Sequence, residues 1–268
     1  MMVSVKSHVV LAAMAGVCDG KFCFEAAKAG AGMVILGGIN FDAETIKAGL
    51  EIKNRGRSEF YVELCDLENF LFREVKTAKR GGAPVTINVR VATLEGLLRA
   101  GELVQSSGAD AFELNAHCRQ HEITQLGGGQ ALLLNLDKLK EWIKNLKKVL
   151  DLPLIVKWRA NVVDDVALAK NLDSLGVDAF HVDAMKPGYS EADLEVIRNI
   201  SKKSKVFLIG NNSVTDPSTA LRMIEAGARV VSVARYTLND PRLVGRLAQE
   251  VEEALQNRMW KISNLNFG

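Results

Sequence analysis

A chain of 268 residues, 48% hydrophobic and 25% charged, has the composition of an ordinary soluble globular protein with enough apolar content for a sizeable core. Its 34 basic and 32 acidic side chains leave a net charge of +2, which gives no general electrostatic case for nucleic acid but leaves room for a local basic patch. The four cysteines (Cys18, Cys23, Cys65, Cys118) form no CxxC pair, and the apolar run 9–17 is too short to cross a bilayer, so a reduced, cytoplasmic protein without a membrane segment is expected.

Residues 9–12 read as a buried strand, followed by a helix from Asp19 through Ala29 that stops at Gly30. A second strand over 33–36 is expected to close at Gly37-Gly38, with a helix over 42–53. Residues 60–64 suit an edge strand or a loop, and 67–79 a helix. Strand 84–90 and helix 94–105 follow. From residue 109 the alternation is regular: strand 109–114, helix 137–149; strand 153–159, helix 166–175; strand 179–183, helix 192–200; strand 206–210, helix 218–226; strand 230–234, and a terminal helix ending near Trp260.

The strands are short, continuous apolar runs, as expected when both faces of a parallel sheet are covered. Eight βα units without a Pro/Gly/Ser-rich divider predict an α/β, single-domain TIM (β/α)8 barrel over residues 1–240, with a terminal helix and tail, 241–268, packed on it.

In such a barrel the C-terminal strand ends meet on one face. They carry Met14 and Gly16, then Asn88 and Arg90, then Asn115 and Cys118. Lys157 and Arg159, His181 and Asp183, Gly210 with Asn211 and Asn212, and Ala234 with Arg235 complete the ring. A strand ending Lys-Trp-Arg buries cations that need an anionic or electron-rich partner. The small residues of 209–213 and 233–236 let backbone amides approach a phosphate. Each residue also has a plainer reading. Cys118 suits a buried small hydrophobe as well as an acid, His181 a bonded core histidine, and Arg159 an ion-pair partner for Asp183 or Asp110. His117 and His121 suit solvated loop positions, and no metal is expected.

Together these blocks resemble the tRNA-dihydrouridine synthases, FMN-binding TIM barrels related to the dihydroorotate dehydrogenases. Leu11-Ala-Ala-Met-Ala-Gly-Val-Cys-Asp19 is similar to the family's LAPMAGVTD opening, with Ala13 where proline is usual. Asn115-Ala-His-Cys118 resembles NxGCP, followed by Gly127-Gly-Gly-Gln-Ala-Leu-Leu133. Val156-Lys-Trp-Arg159 resembles VKIR, His181 falls where HGRT begins, Gly210-Asn-Asn212 where GNGD lies, and Ala234-Arg235 where the last-strand GR lies.

The resemblance implies an FMN-dependent oxidoreductase that reduces the C5–C6 double bond of uracil in tRNA, with NADPH or NADH as electron source. It implies cofactor contacts at Ala13, Met14, Asn88, Lys157, His181, Gly210, Asn211, Ala234 and Arg235. Cys118, Lys157 and His181 would be catalytic, with Cys118 the proton donor, and Asn115 and Arg159 would bind substrate. His117, Arg119 and Asp183 depart from the family pattern, and the first two would lower the thiol's pKa. Only 33 residues follow Arg235, so a short form without the family's helical domain is expected. Two alternatives stand beside this reading: a dihydroorotate-dehydrogenase-like flavoenzyme acting on a free small pyrimidine, and a non-catalytic flavin- or phosphate-binding barrel. Homo-oligomerisation is left open.

Overall fold

The computed structural model describes residues 2–265, with side chains described as far as residue 257. Eight parallel strands close into a barrel in sequence order: β1 (Val9–Leu11), β2 (Val34–Asn40), β3 (Val85–Arg90), β4 (Ala111–Ala116), β5 (Leu154–Arg159), β6 (Ala179–Asp183), β7 (Phe207–Asn211) and β8 (Val230–Val233). Closure is made by β8 pairing back onto β1, with Val9 opposite Val231 and Leu11 opposite Val233. Around it run α1 (Gly20–Ala29), α2 (Ala43–Asn54), α3 (Leu67–Lys79), α4 (Leu94–Ser106), the short α5 (His121–Thr124), α6 (Leu136–Val149), α7 (Asp165–Ser174), α8 (Leu194–Lys203), α9 (Pro217–Glu225) and α10 (Leu243–Leu265). The expected eight-stranded barrel is what the chain forms.

Helix starts follow local chemistry. Asp42 accepts from the Thr45 N–H in a reciprocal capping box, and Asp216 does the same with Thr219 ahead of a first-turn Pro217. Most observed helix bounds fall within two residues of those read from the pattern, the start and end of α8 being shifted by two and three residues.

One strand differs from expectation, and one open choice is decided. β2 does not close at Gly37-Gly38 but continues to Asn40, with its register shifting between Gly37 and Ile39. The glycines serve close approach rather than a turn. A Cβ at Gly37 would lie 2.8 Å from the Asn88 carbonyl oxygen, and one at Gly38 would lie 2.8 Å from Asn88 Oδ1. Of the two alternatives for residues 60–64, edge strand or loop, the chain takes the loop, which runs over 57–64 into α3. The short α5 and a 3-10 turn at Gly129–Leu134 were hidden in the sequence by the glycine triplet.

The strand pleat sorts side chains into two environments. Val85, Ile87 and Val89, Phe112, Leu114 and Ala116, and Trp158 face the helices in the main core. Facing inward at the lower end, Val10, Ile35, Ala111, Ile155, Ala179 and Ile209 form a separate apolar layer inside the barrel. Higher on the same inward rows come Asn88, Glu113, Lys157, His181 and Ser232, all buried. The barrel interior therefore turns from hydrocarbon to polar toward its C-terminal mouth. Near β1, Val244, Leu247 and Val251 bury one side of α10 in the main core.

Candidate active site

Apart from Lys157, the polar layer is one connected hydrogen-bond chain. Its centre is Glu113, with no solvent exposure. Asn88 Nδ2 donates to Glu113 Oε1 at 2.6 Å, and His181 Nδ1 lies 2.6 Å from Oε2. His181 Nε2 lies 2.7 Å from Ser232 Oγ, which in turn accepts from Asn211 Nδ2 at 2.5 Å. A carboxylate can only accept, so His181 donates from Nδ1 and takes the serine proton at Nε2. On the other side, Asn115 Nδ2 donates to Asn88 Oδ1 at 2.8 Å. Asn115 Oδ1 accepts the backbone N–H of His117 (3.0 Å) and Cys118 (2.8 Å). The loop bearing Cys118 is thereby tied, through six side chains from Asn115 to Asn211, to β8 and the end of β7.

Burial works against charge on both members of the central pair. For His181, burial and then the nearby Lys157 ammonium push the pKa down from 6.5 to about 4, so the imidazole is neutral. For Glu113, burial alone would push the carboxyl up. The interactions with His181 and the Lys157 ammonium, and the hydrogen bonds from His181 and Asn88, outweigh burial and hold it at about 2.

The histidine sets a pH dependence. A folded-state pKa below the unfolded one means that the unfolded chain takes up a proton, as pH falls through 6.5, that the folded chain refuses until about 4. Stability from this group is therefore complete above 6.5 and declines as pH falls, at up to about 1.4 kcal/mol per pH unit per proton. Denaturant titrations across that window should show unfolding free energy rising with pH. A flat or inverted dependence would mean that His181 is protonated in the fold.

Above this layer lies a cavity of about 230 Å³ whose walls include Ala13, Gly38, Asn88, Asn115, Cys118 and Lys157. A second hollow of about 290 Å³ shares Arg57, Arg90 and Cys118 with it, so the cysteine borders both. Lys157 is 5% exposed. Among the described residues it has neither a carboxylate within ion-pair distance nor a hydrogen-bond acceptor. A buried ammonium without a partner, on a cavity wall, is a strong demand for an electron-rich ligand.

Arg90 lies behind the cysteine. Its Nη2 donates to the Gly38 carbonyl at 3.0 Å and to Glu59 Oε1, while Nη1 reaches Cys118 Sγ at 3.8 Å. Gly129 (φ +55°) lets the 3-10 turn close on this loop, because a Cβ there would meet the Cys118 carbonyl oxygen at 2.5 Å.

Neither His117 nor Arg119, expected to act on the thiol, hydrogen-bonds the Cys118 sulfur among the described residues, although both border its cavity. His117 turns away to Asp183, with Nε2 2.7 Å from Oδ2, and burial lowers its pKa despite that carboxylate. Arg119 lies near enough to Arg159 to help lower its pKa, after burial, together with Arg235. Arg159 is the ion-pair partner of Asp183 at 3.1 Å, one of the two candidates foreseen, while Asp110 pairs with Lys79. Asp183 also accepts from Asn212 Nδ2 at 2.6 Å. Burial would raise its pKa, but the His117 hydrogen bond, with Asn212 and Arg159 adding to it, holds it well below the usual carboxylate range.

The loops after β7 and β8 have an anion-receptive backbone. Asn212 and Ser213 adopt positive φ (+102° and +52°). The N–H groups of Asn212, Ser213, Ala234 and Arg235 have no acceptor among the described residues. Successive amides in such turns form anion-binding nests.

The structure thus brings Ala13, Asn88, Asn115, Cys118 and Lys157 onto one cavity. Gly210, Asn211, Ala234 and Arg235 stand at the β7 and β8 side, Met14 packs on the main core, and Arg159 faces Asp183. His181 lies beneath the cavity, wholly buried with both ring nitrogens engaged. Glu113, Arg90, Glu59 and Ser232 enter the site without having been assigned roles. A period-two reading of β4 would have found Glu113, since Ala111, Glu113 and Asn115 share the inward row.

Residues 63–266 match the dihydrouridine synthase (Dus) family profile. An uncharacterized protein of Methanocaldococcus jannaschii is 37% identical over 86% of this chain and 89% of its own. A probable tRNA-dihydrouridine synthase of Rhodobacter capsulatus is 25% identical over 90% of this chain and 70% of its own. The catalytic subunit of dihydroorotate dehydrogenase B from Brachyspira hyodysenteriae is 25% identical over 74% and 72%. Among solved structures, a FabK mutant from Thermotoga maritima superposes with a TM-score of 0.56 at 13% identity, covering 88% of this chain and 64% of that one. That likeness concerns the fold alone.

Proposed function

Because the chain belongs to the dihydrouridine synthase family, FMN-dependent oxidoreductases acting on a C=C bond, we propose that it reduces the C5–C6 double bond of uracil in tRNA, with NADPH or NADH as electron source. The observation that carries this reading is Lys157, a buried and unpartnered ammonium on the wall of the cavity that also holds Cys118.

The residues present suit FMN. A planar, electron-rich ring edge satisfies Lys157, and the amides at Asn212, Ser213, Ala234 and Arg235, with the Arg235 charge, suit a phosphate. The cofactor would be held by Ala13, Met14, Asn88, Lys157, Gly210, Asn211, Ala234 and Arg235. When bound, FMN supplies the hydride equivalent for the double bond. The chain supplies the rest. Cys118 presents a thiol proton at the cavity wall, Asn115 fixes the loop that carries it, and Arg159, paired with Asp183, would bind substrate at the mouth. His181, enclosed below, acts through Glu113 and Asn88 on the cavity floor rather than by touch.

The dihydroorotate dehydrogenase relatives favour one second reading, a flavoenzyme on a free pyrimidine, in which Cys118 would act as base. The purified protein is expected to be yellow, with flavin absorbance bleached anaerobically by a nicotinamide cofactor, and to form dihydrouridine in unmodified tRNA. Turnover of dihydroorotate or free uridine without any on tRNA would establish the second reading. A colourless protein that does not retain added FMN would sink both.

A further inference from the structure

The acid chemistry proposed for Cys118 leaves an anion behind. When the S–H bond breaks, the electron pair stays on sulfur, the proton forms the new C–H bond on the pyrimidine, and the site holds a thiolate until solvent returns a proton. The family-level reading does not say what stabilises that thiolate, and the surroundings make the need plain. Ala48 and Ile52 of α2 and Ile123 of α5 pack against Cys118 with apolar surface. An anion there needs a specific charge partner.

We propose that Arg90 is that partner, a positioning and charge-balancing residue that holds the Cys118 thiolate through Nη1. The inference rests on the proposed reaction for its purpose but on geometry for its substance. Arg90 is 2% exposed, and its guanidinium is fixed from the far edge, where Nη2 donates to Gly38 and Glu59, leaving Nη1 3.8 Å from the sulfur. A planar fork can serve an anchor on one edge and an anion on the other, which a lysine cannot do from a single point charge. Glu59, itself buried, balances the guanidinium while the cysteine is a thiol. Once the proton leaves, Glu59 and the thiolate share one cation.

The other charged groups near the thiol are accounted for. Arg57 from the loop after α2, His117 and Arg119 from the cysteine's own loop, and Lys157 from β5 border the same cavity. His117 is turned to Asp183 and Arg119 lies near Arg159, and of the charged groups among the described residues only Arg90 hydrogen-bonds the sulfur.

The test is site-resolved alkylation of Cys118 by iodoacetamide as a function of pH, read by mass spectrometry on the protein as isolated, because the exposed Cys65 also reacts. Two substitutions should move the thiol's apparent midpoint in opposite directions. Arg90→Met, made together with Glu59→Gln so that no carboxylate is left buried alone, should raise it by about one unit and slow alkylation at neutral pH about tenfold. Glu59→Gln alone should lower the midpoint and speed alkylation, since Arg90 then serves the sulfur only. Arg90→Lys should fall between wild type and the double variant. Shifts of the same sign in both, or profiles that coincide in variants with unchanged melting, would overturn the proposal. The readout needs neither flavin nor RNA. A protein that makes no dihydrouridine yet shows the opposed shifts therefore refutes the proposed reaction and leaves the Arg90–Cys118 pairing intact.

Discussion

Replacing Glu113 by alanine is expected to destabilise the protein by about 3–5 kcal/mol, from two buried donors left without an acceptor at about 1–3 kcal/mol each and a void beside them. Its carboxylate is the sole acceptor for Asn88 Nδ2 and for His181 Nδ1 among the described residues. Alanine strands both donors, leaves a void beside them and removes a carboxylate that interacts electrostatically with Lys157. Against a total stability of about 5–15 kcal/mol, that loss is large. Glutamine tests the cause. Its amide oxygen can still accept from Asn88, and its NH2 can donate to His181 if the imidazole changes tautomer and donates from Nε2 to Ser232. Ser232 Oγ, already accepting from Asn211, has a second lone pair for that bond. Glu113→Gln should therefore cost only about 1–3 kcal/mol. Denaturant unfolding of both variants decides the matter. Equal costs for alanine and glutamine would mean that side-chain volume, not the hydrogen-bond chain, is what the fold requires there.

The same residue shows where the sequence is informative and where it is silent. Barrel order was legible because β5 to β8 and their helices repeat apolar run, break and amphipathic stretch without interruption, a pattern fixed by local burial. The mouth was legible because strand ends expose chemistry: Asn115, Cys118 and Lys157 each stand where a run of hydrocarbon stops, and the structure sets all three on one cavity. Partnership was not legible. Cys118 and Arg90 are separated by 28 positions, and Glu59 by 31 from Arg90. Which cation touches the thiol depends on rotamers and loop closure, so the contact from Arg90 could not be read from the neighbours in sequence, His117 and Arg119. Gly37 and Gly38 misled for a related reason. A glycine that ends a strand and one that admits a neighbouring backbone look alike until β3 is placed beside them. Glu113 was passed over because an apolar run was treated as one surface, whereas alternate residues of β4 face hydrocarbon helices and a polar barrel interior.

Replacement of Cys118 by alanine is expected to have the largest effect on the proposed reaction, lowering the rate of uracil reduction by about 10²–10⁴-fold, the usual worth of a positioned general acid. In barrier terms this is about 3–5 kcal/mol. The argument turns on which steps need the thiol. In the proposed site flavin would be retained by Lys157 and the β7 and β8 loops, and none of these hydrogen-bonds Cys118 among the described residues. The Asn115 bonds that shape the cysteine loop are made to backbone N–H groups, so alanine keeps them. Flavin content, melting temperature and the rate at which a nicotinamide cofactor bleaches the flavin should consequently stay near wild type. Only reoxidation of the reduced protein by unmodified tRNA should slow. Cys118→Ser sharpens the test, because a hydroxyl of similar size fills the site while being a far weaker acid, so it should behave like alanine. If both variants reoxidise at the wild-type rate, the proton comes from elsewhere and Cys118 is a packing residue against Ala48, Ile52 and Ile123. If serine alone recovers the rate, the residue serves as a hydrogen-bonding contact to the substrate and not as its acid.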